Sequence, residues 1–260
     1  MKVIKNSRHQ HMKLNGNGLK VLDTVHLNGN HHQHQTNHSL HLWEESEMLG
    51  DMHMATNLET PLREDAFEVS DQEKMAIIEK HFASIMDTLG LDMTDDSLKG
   101  TPRRVAKMFV KEIFHGLDPQ NKPSISVFDN KFRYGQMLVE KNISLNSTCE
   151  HHFLPIYGKA HIAYFAKDKV IGLSKLNRVV DYFARRPQVQ ERLTVQIANE
   201  LKKMLQTEDV AVVIDAWHMC VSSRGIQDKK SSTVTAEYCG QFKNEKTREE
   251  FLTYVGMVTG

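Results

Sequence analysis

The chain has 260 residues, with 33 basic and 33 acidic side chains, so it carries no net charge when its 15 histidines are neutral. That balance excludes a protein that coats nucleic acid through general electrostatics, while leaving room for a local cationic pocket. No run of about 18 apolar residues occurs, which excludes a transmembrane helix, and neither a membrane nor a nucleic acid is expected as a partner. The opening stretch "MKVIKNSRHQHMKLNGNG" lacks the apolar core of a secretory signal. The three cysteines, Cys149, Cys220 and Cys239, form a sparse, odd set. Such a set suits a reducing compartment, where thiols bind metal or react more often than they pair, and a cytoplasmic location is expected.

In chain order, residues 1–69 come first. Nine of the histidines lie before residue 60, among Asn, Gly and Gln ("NGNHHQHQTNHSLH"). This segment cannot bury enough apolar surface to offset its ordering entropy, so a disordered extension is expected. A metal-buffering histidine tract is the sharper alternative. A folded domain is expected over 70–260. Ser70 and Glu73 have capping-box spacing. Met75, Ile78, Phe82, Ile85, Met86 and Leu89 then recur at helical period up to a stop at Gly90. A second helix opens at Thr101 with Pro102 in its first turn and ends near Gly116.

Strands are predicted over 136–145 and 156–166, then helices over 174–186 and 188–206, split by Pro187. Two β-rich stretches follow, "DVAVVIDAWHMCV" and "SSTVTAEYCGQF", and a short helix with capping-box spacing at Thr247 and Glu250. Two helices followed by ββααββ predict an α+β domain, an antiparallel sheet with helices on one face.

The stretch "STCEHHFLP" (147–155) concentrates unusual chemistry. Cys149 and His152 have the C-x-x-H spacing that lets two ligands converge across a tight turn. On a regular strand Cys149 would instead share a face with His151. Pro155 and the intervening acid favour the turn, hence His152 as ligand and His151 as a free acid–base group. Cys220, at the end of a predicted strand, supplies a third soft ligand. His218, two residues earlier, would share its face. Two thiolates and an imidazole favour Zn²⁺ over Mg²⁺ or Ca²⁺, and three protein ligands leave a fourth position for water. The competing arrangement is a closed Cys₃His site completed by Cys239, with no chemistry. The plainer one leaves Cys220 and Cys239 as buried strand residues.

A second constellation is cationic. Lys175 and Arg178 lie three apart on one helix face, with Ser174 near that helix's N-terminus. Arg224 sits in "SSRGIQD" and Arg104 near the start of the second helix. No phosphate-binding glycine loop is present, so side chains would have to hold any polyphosphate. Ordinary solvated surface charge is the plainer reading of these cations. Glu191 has the chemistry to accept two parallel hydrogen bonds from a guanine edge, and it is equally an ordinary exposed helix acid.

"STCEHHFLP", "VIGLSKLNRVVDYFARRPQVQERLT", "HMCVSSRGIQD" and "GTPRRVAKMF" together resemble the signature segments of the GTP cyclohydrolase I family, in the right order, over about residues 70–258. The resemblance implies a hydrolase of the tunnelling fold (T-fold). Its substrate is GTP, and its products are formate and 7,8-dihydroneopterin triphosphate, the entry to pterin and folate synthesis. It implies one Zn²⁺ per subunit on Cys149, His152 and Cys220, and proton transfer by His151 and His218. It further implies guanine recognition by Glu191 with Gln190, and triphosphate and ribose contacts from Ser174, Lys175, Arg178, Arg224 and Arg104. The assembly implied is a homodecamer of two pentamers, whose barrel is completed by oligomerisation and whose active sites lie between subunits. Cys239 matches no ligand of the family. Two other classes remain: a tunnelling-fold nitrile reductase acting on a deazaguanine, which would need no metal, and a non-catalytic zinc-stabilised binding module.

Overall fold

The computed structural model describes residues 57–124 and 126–257. The disorder expected of the N-terminal extension, and metal buffering by its histidines, lie outside the described residues up to position 56. The last part of that extension, 57–69, is described and bonds to the folded part: the Asn57 carbonyl accepts from Arg192 and the Leu58 carbonyl from Gln196.

Helix α1 (Asp71–Thr88) begins with the expected capping box. Ser70 Oγ accepts from the Glu73 amide, and the Glu73 carboxylate accepts from the Ser70 amide. It ends at Gly90, whose φ of +79° suits a residue without a Cβ. Helix α2 (Thr101–Met108) starts behind Gly100 with Pro102 in its first turn and runs on as a π-helical turn, Phe109–Ile113.

The main sheet has the order β5-β2-β3-β6-β7. Strand β2 (Met137–Cys149) pairs antiparallel with β3 (Pro155–Phe165), β3 with β6 (Val210–His218), and β6 with β7 (Thr233–Tyr238). Strand β5 (Pro187–Gln188) adds a short parallel pairing at Thr148 and Cys149, so the sheet is mixed rather than wholly antiparallel. Strands β1 (Val127–Asp129) and β4 (Lys169–Ile171) form a separate two-stranded ribbon. The sequence reading missed β1, β4 and β5, which are two or three residues long and carry no readable period.

Helices α3 (Leu173–Ala184) and α4 (Gln190–Leu205) cover one face. Leu176, Val179, Val180 and Phe183 of α3 and Leu193, Ile197, Leu201 and Leu205 of α4 pack on Ile162, Tyr164, Val212 and Ile214. The expectation of helices on one face alone is corrected at one end. There the alternate residues Ala163, Ala211 and Val213 are apolar too, and they bury Phe242 and Phe251, the latter from α6 (Glu245–Gly256), against the opposite face. Helix α6 is also capped differently from expectation. Asn244 is its N-cap, accepting from the Lys246 and Thr247 amides, so Thr247 lies inside the helix rather than at its cap. Among the described residues no helix is long and apolar enough to cross a membrane.

This winding gives the sheet two unlike ends. β2 and β6 finish, β3 begins, α3 finishes and α4 begins at the same end, the one that carries Cys149 and His218. β2 and β6 start, and α3 starts, at the other.

Strands β3 and β6 approach closely at Gly158. A Cβ there would lie 2.2 Å from the Asp215 carbonyl oxygen and 2.5 Å from Ala216 Cβ. Gly158→Ala should therefore destabilise the fold by about 1–3 kcal/mol, the usual range for overpacking. Gly256→Ala, with nothing within 4 Å of the added atom, should change little. Thermal unfolding of both variants beside wild type checks this; equal midpoints for all three would refute it.

Candidate metal centre

The C-terminal end of β2 delivers Cys149 to a turn over residues 150–154. The Cys149 amide donates to the Leu154 carbonyl and the Phe153 amide to the Cys149 carbonyl, at 2.8 and 2.9 Å. Closing the turn puts Phe153 at φ +54°, a conformation uncommon for a side chain of that size. The Phe153 ring packs edge-on against Phe114 at 5.3 Å.

Across the sheet, β6 ends at His218, and Cys220 follows on a single helical turn, α5 (Met219–Ser222), rather than on the strand expected for it. The ligand atoms of Cys149, His152 and Cys220 all lie within 4.8 Å of one another. Both His151 Nδ1 and His152 Nδ1 are 3.8 Å from Cys149 Sγ, but His152 is the histidine grouped with Cys220. The turn conformation, rather than the strand one, therefore decides between them.

The donor set fits a soft divalent cation. Burial, and next the neighbouring Cys149 thiol, push the Cys220 thiol up to about 11, with Arg224 pulling the other way. Two adjacent thiols cannot both ionise cheaply without a cation between them, and a divalent metal removes that penalty. Cys239 stands apart from the group. Its amide donates to the Val210 carbonyl at the start of β6, and its thiol donates to Glu237 Oε1 at 3.4 Å. A nine-residue strand separates Val210 from the metal end, about 25–30 Å at 3.3 Å per residue, so the closed Cys₃His arrangement is ruled out within one chain.

His218 is held by a residue expected to do something else. Gln190, buried at the first position of α4, donates through Nε2 to the Thr233 carbonyl (2.8 Å), Thr235 Oγ1 (3.1 Å) and the Ile214 carbonyl (3.2 Å). Backbone carbonyls only accept, so the amide orientation is settled and Oε1 must face His218 Nε2, 2.8 Å away. His218 Nε2 therefore carries a proton, and Nδ1 is the nitrogen left to exchange one. Both ends of the Gln190 side-chain amide are thus engaged within the chain. Thr194 and Thr235, whose hydroxyls bond at 2.7 Å, complete this network. Neither was legible in the sequence, where the only trace is that Thr194 falls one helical turn after Gln190. Burial lowers the His218 pKa, while the Glu191 carboxylate raises it, which places that exposed acid within electrostatic reach of the ring.

The cations divide. Arg224 Nη1 lies 3.0 Å from His152 Nε2, at the centre itself. Ser174, Lys175 and Arg178 lie in the first half of α3, and Lys175 Nζ donates to the Ser124 carbonyl. The other end of α3 abuts the metal end, where the Ala184 carbonyl accepts from Ser147 Oγ at 2.7 Å. Ten residues of helix, about 15 Å, separate Ser174 from that point. Arg104 bonds within its own region, to Thr101 Oγ1 and the Ser97 carbonyl.

The sequence profile of GTP cyclohydrolase I matches residues 78–256. A protein named GTP cyclohydrolase 1 from Flavobacterium johnsoniae is 61% identical over 211 residues, covering 81% of this chain and 95% of the relative. Proteins of the same name from Citrobacter koseri and Yersinia enterocolitica are each 50% identical over 215 residues, covering 82% of this chain and 97% of theirs.

The geometry predicts how metal content responds to each thiol. Cys149→Ala and Cys220→Ala should lose any bound metal on elemental analysis of the purified protein, whereas Cys239→Ala should keep the wild-type metal content. Metal loss from the Cys239 variant alone would overturn the assignment.

Proposed function

Because the chain belongs to the GTP cyclohydrolase I family, we propose that Cys149, His152 and Cys220 hold one Zn²⁺ and that the site around them converts GTP and water to formate and 7,8-dihydroneopterin triphosphate. The observation that carries the reading is the convergence of three soft ligand atoms within 4.8 Å at the sheet end that also presents His151, His218 and Glu191. Zinc held there would lower the pKa of a bound water to about 7 and so make a nucleophile available at neutral pH.

The chain's own residues do the rest. Glu191, exposed in the first turn of α4, accepts from N1–H and the 2-amino group of guanine and so orients the purine. His151, exposed beside Cys149, gives a proton to N7, which makes C8 electrophilic. C8 leaves as formate after a second addition of water. His218 then moves a proton through Nδ1 as the ribose opens, since its Nε2–H is committed to Gln190. Rearrangement and ring closure expel one water, so the net reaction consumes one. Each acid–base step contributes about 10²–10⁴-fold.

The cations argue for an assembly. Arg224 serves the site in its own chain. Along α3, Ser174 sits about 15 Å and Arg178 about 9 Å from the metal end, and Arg104 bonds within its own region, so they best serve triphosphates bound by neighbouring subunits. The sheet supports the same reading. Among the described residues, the outer edge of β2 is paired only at Thr148 and Cys149, and β7 pairs only with β6, leaving two open edges. Unpaired edges are a hazard that closure into a barrel removes. A homodecamer of two pentamers, with active sites between subunits, accounts for both features. Three unpaired thiols, two of them metal ligands, suit the cytoplasm.

Zinc-replete protein incubated with GTP should release formate and, after oxidation, a fluorescent pterin. A chelator should abolish both and added zinc restore them. His151→Ala should retain zinc while turnover falls about 10²–10⁴-fold. Absence of product from the zinc-loaded oligomer would overturn the reading.

A further inference from the structure

Arg192 follows Glu191 in the first turn of α4, yet its side chain is 4% exposed. A guanidinium leaves water only where its donors are met. Nη1 and Nη2 donate to the two carboxylate oxygens of Glu150, at 2.5 and 3.3 Å, and Nε donates to the Asn57 carbonyl at 3.0 Å. Glu150 is the residue between Cys149 and His151, inside the turn that carries the metal ligands, and its own amide donates to the Gln188 carbonyl. One helical turn further along, Gln196 repeats the device. It donates to the Leu58 carbonyl at 2.8 Å, and its side-chain oxygen accepts from Gln188 Nε2 at 2.8 Å. Two neighbouring side chains of α4 thus hold the metal turn, β5 and the chain at 57–58 in one buried network.

The turn needs such a hold. Cys149 is fixed by the strand ladder, but His151, His152 and Phe153 are exposed, and Phe153 sits in a left-handed conformation. Two thiolates and an imidazole neutralise a divalent cation, so the Glu150 charge is surplus beside the metal, and Arg192 cancels it. The fork geometry of the guanidinium fixes the direction of the carboxylate as well as its charge. We propose that Arg192, with Glu150 as its partner and residues 57–58 as a strap across it, is a positioning residue that sets the geometry of the Cys149–His152 turn and hence the affinity for zinc. The proposal rests on the zinc reading of the site.

Arg192→Lys keeps the charge and loses the fork; Glu150→Gln keeps the shape and loses the charge. In the full-length protein, zinc affinity is read by competition with a chromophoric chelator, alongside light-scattering size and the melting temperature of metal-free protein. Each single variant should bind zinc about 10–100-fold more weakly, the usual cost of a disturbed outer-sphere contact. The double variant should bind within about threefold of the weaker single, because both changes break one interaction. Oligomer size should stay at the wild-type value, and the metal-free melting temperature, which a broken buried pair lowers, identifies the variants that remain folded and can be compared for zinc affinity. Should Arg192→Lys not fold, Glu150→Gln alone decides the matter. Wild-type affinity in a folded single variant, or losses that multiply in the double, would overturn the proposal while leaving the zinc site standing. A wild-type chain without zinc would instead overturn the metal reading itself, before any variant is compared.

Discussion

Two thiols and an imidazole placed within 4.8 Å of one another are a poor arrangement for a protein without a cation, because burial and the neighbouring Cys149 thiol raise the cost of ionising Cys220. The fold is organised to tolerate that cost in one place. β2 and β6 are separated in the sheet by β3 and reach the same end through antiparallel pairing on both sides of it. The first strand ends in Cys149 and the second in His218, two residues before Cys220. Any slip of register by one residue would turn alternate side chains to the other face and separate the ligands. Packing of α3 and α4 on one face and α6 on the other secures that register.

Around the ligand group lies a layer of side chains that decide what the inner ones can do. Gln190 is held by two backbone carbonyls and in turn fixes which nitrogen of His218 carries its proton. Arg192 holds Glu150, and through it the turn. Both belong to the first turn of α4, on either side of the exposed Glu191. A single helix start therefore serves three purposes through three consecutive residues pointing in different directions, as the helical rotation of about 100° per residue requires.

Family membership and monomer geometry agree about the metal end and diverge over the cations. The helix bearing Ser174, Lys175 and Arg178 starts at the opposite end of the sheet from the metal, while Arg224 is beside it. Sheet edges left open at β2 and β7 give a physical reason for subunits to join. The proposed assembly would bring cationic groups that are remote within a chain next to a neighbour's metal end.

Much of this was legible in the residues themselves. Helical period located α1, α3 and α4 to within two residues, because long amphipathic segments state their face repeatedly. The Ser70 and Glu73 cap was read from two side chains whose bonds are local. Cys149, His152 and Cys220 stood out because soft ligands are rare and their spacing carries information. Tertiary structure alone decided the remainder. It moved Cys220 off the strand, brought it beside Cys149 and His152, and sent Cys239 to the far end of β6. It also gave Gln190 and Arg192 partners 28 and 42 positions away along the chain. Local periodicity records which face a side chain takes; it does not record which distant polar group waits on that face, and hydrogen bonds across the sheet exist only once the strands are in register.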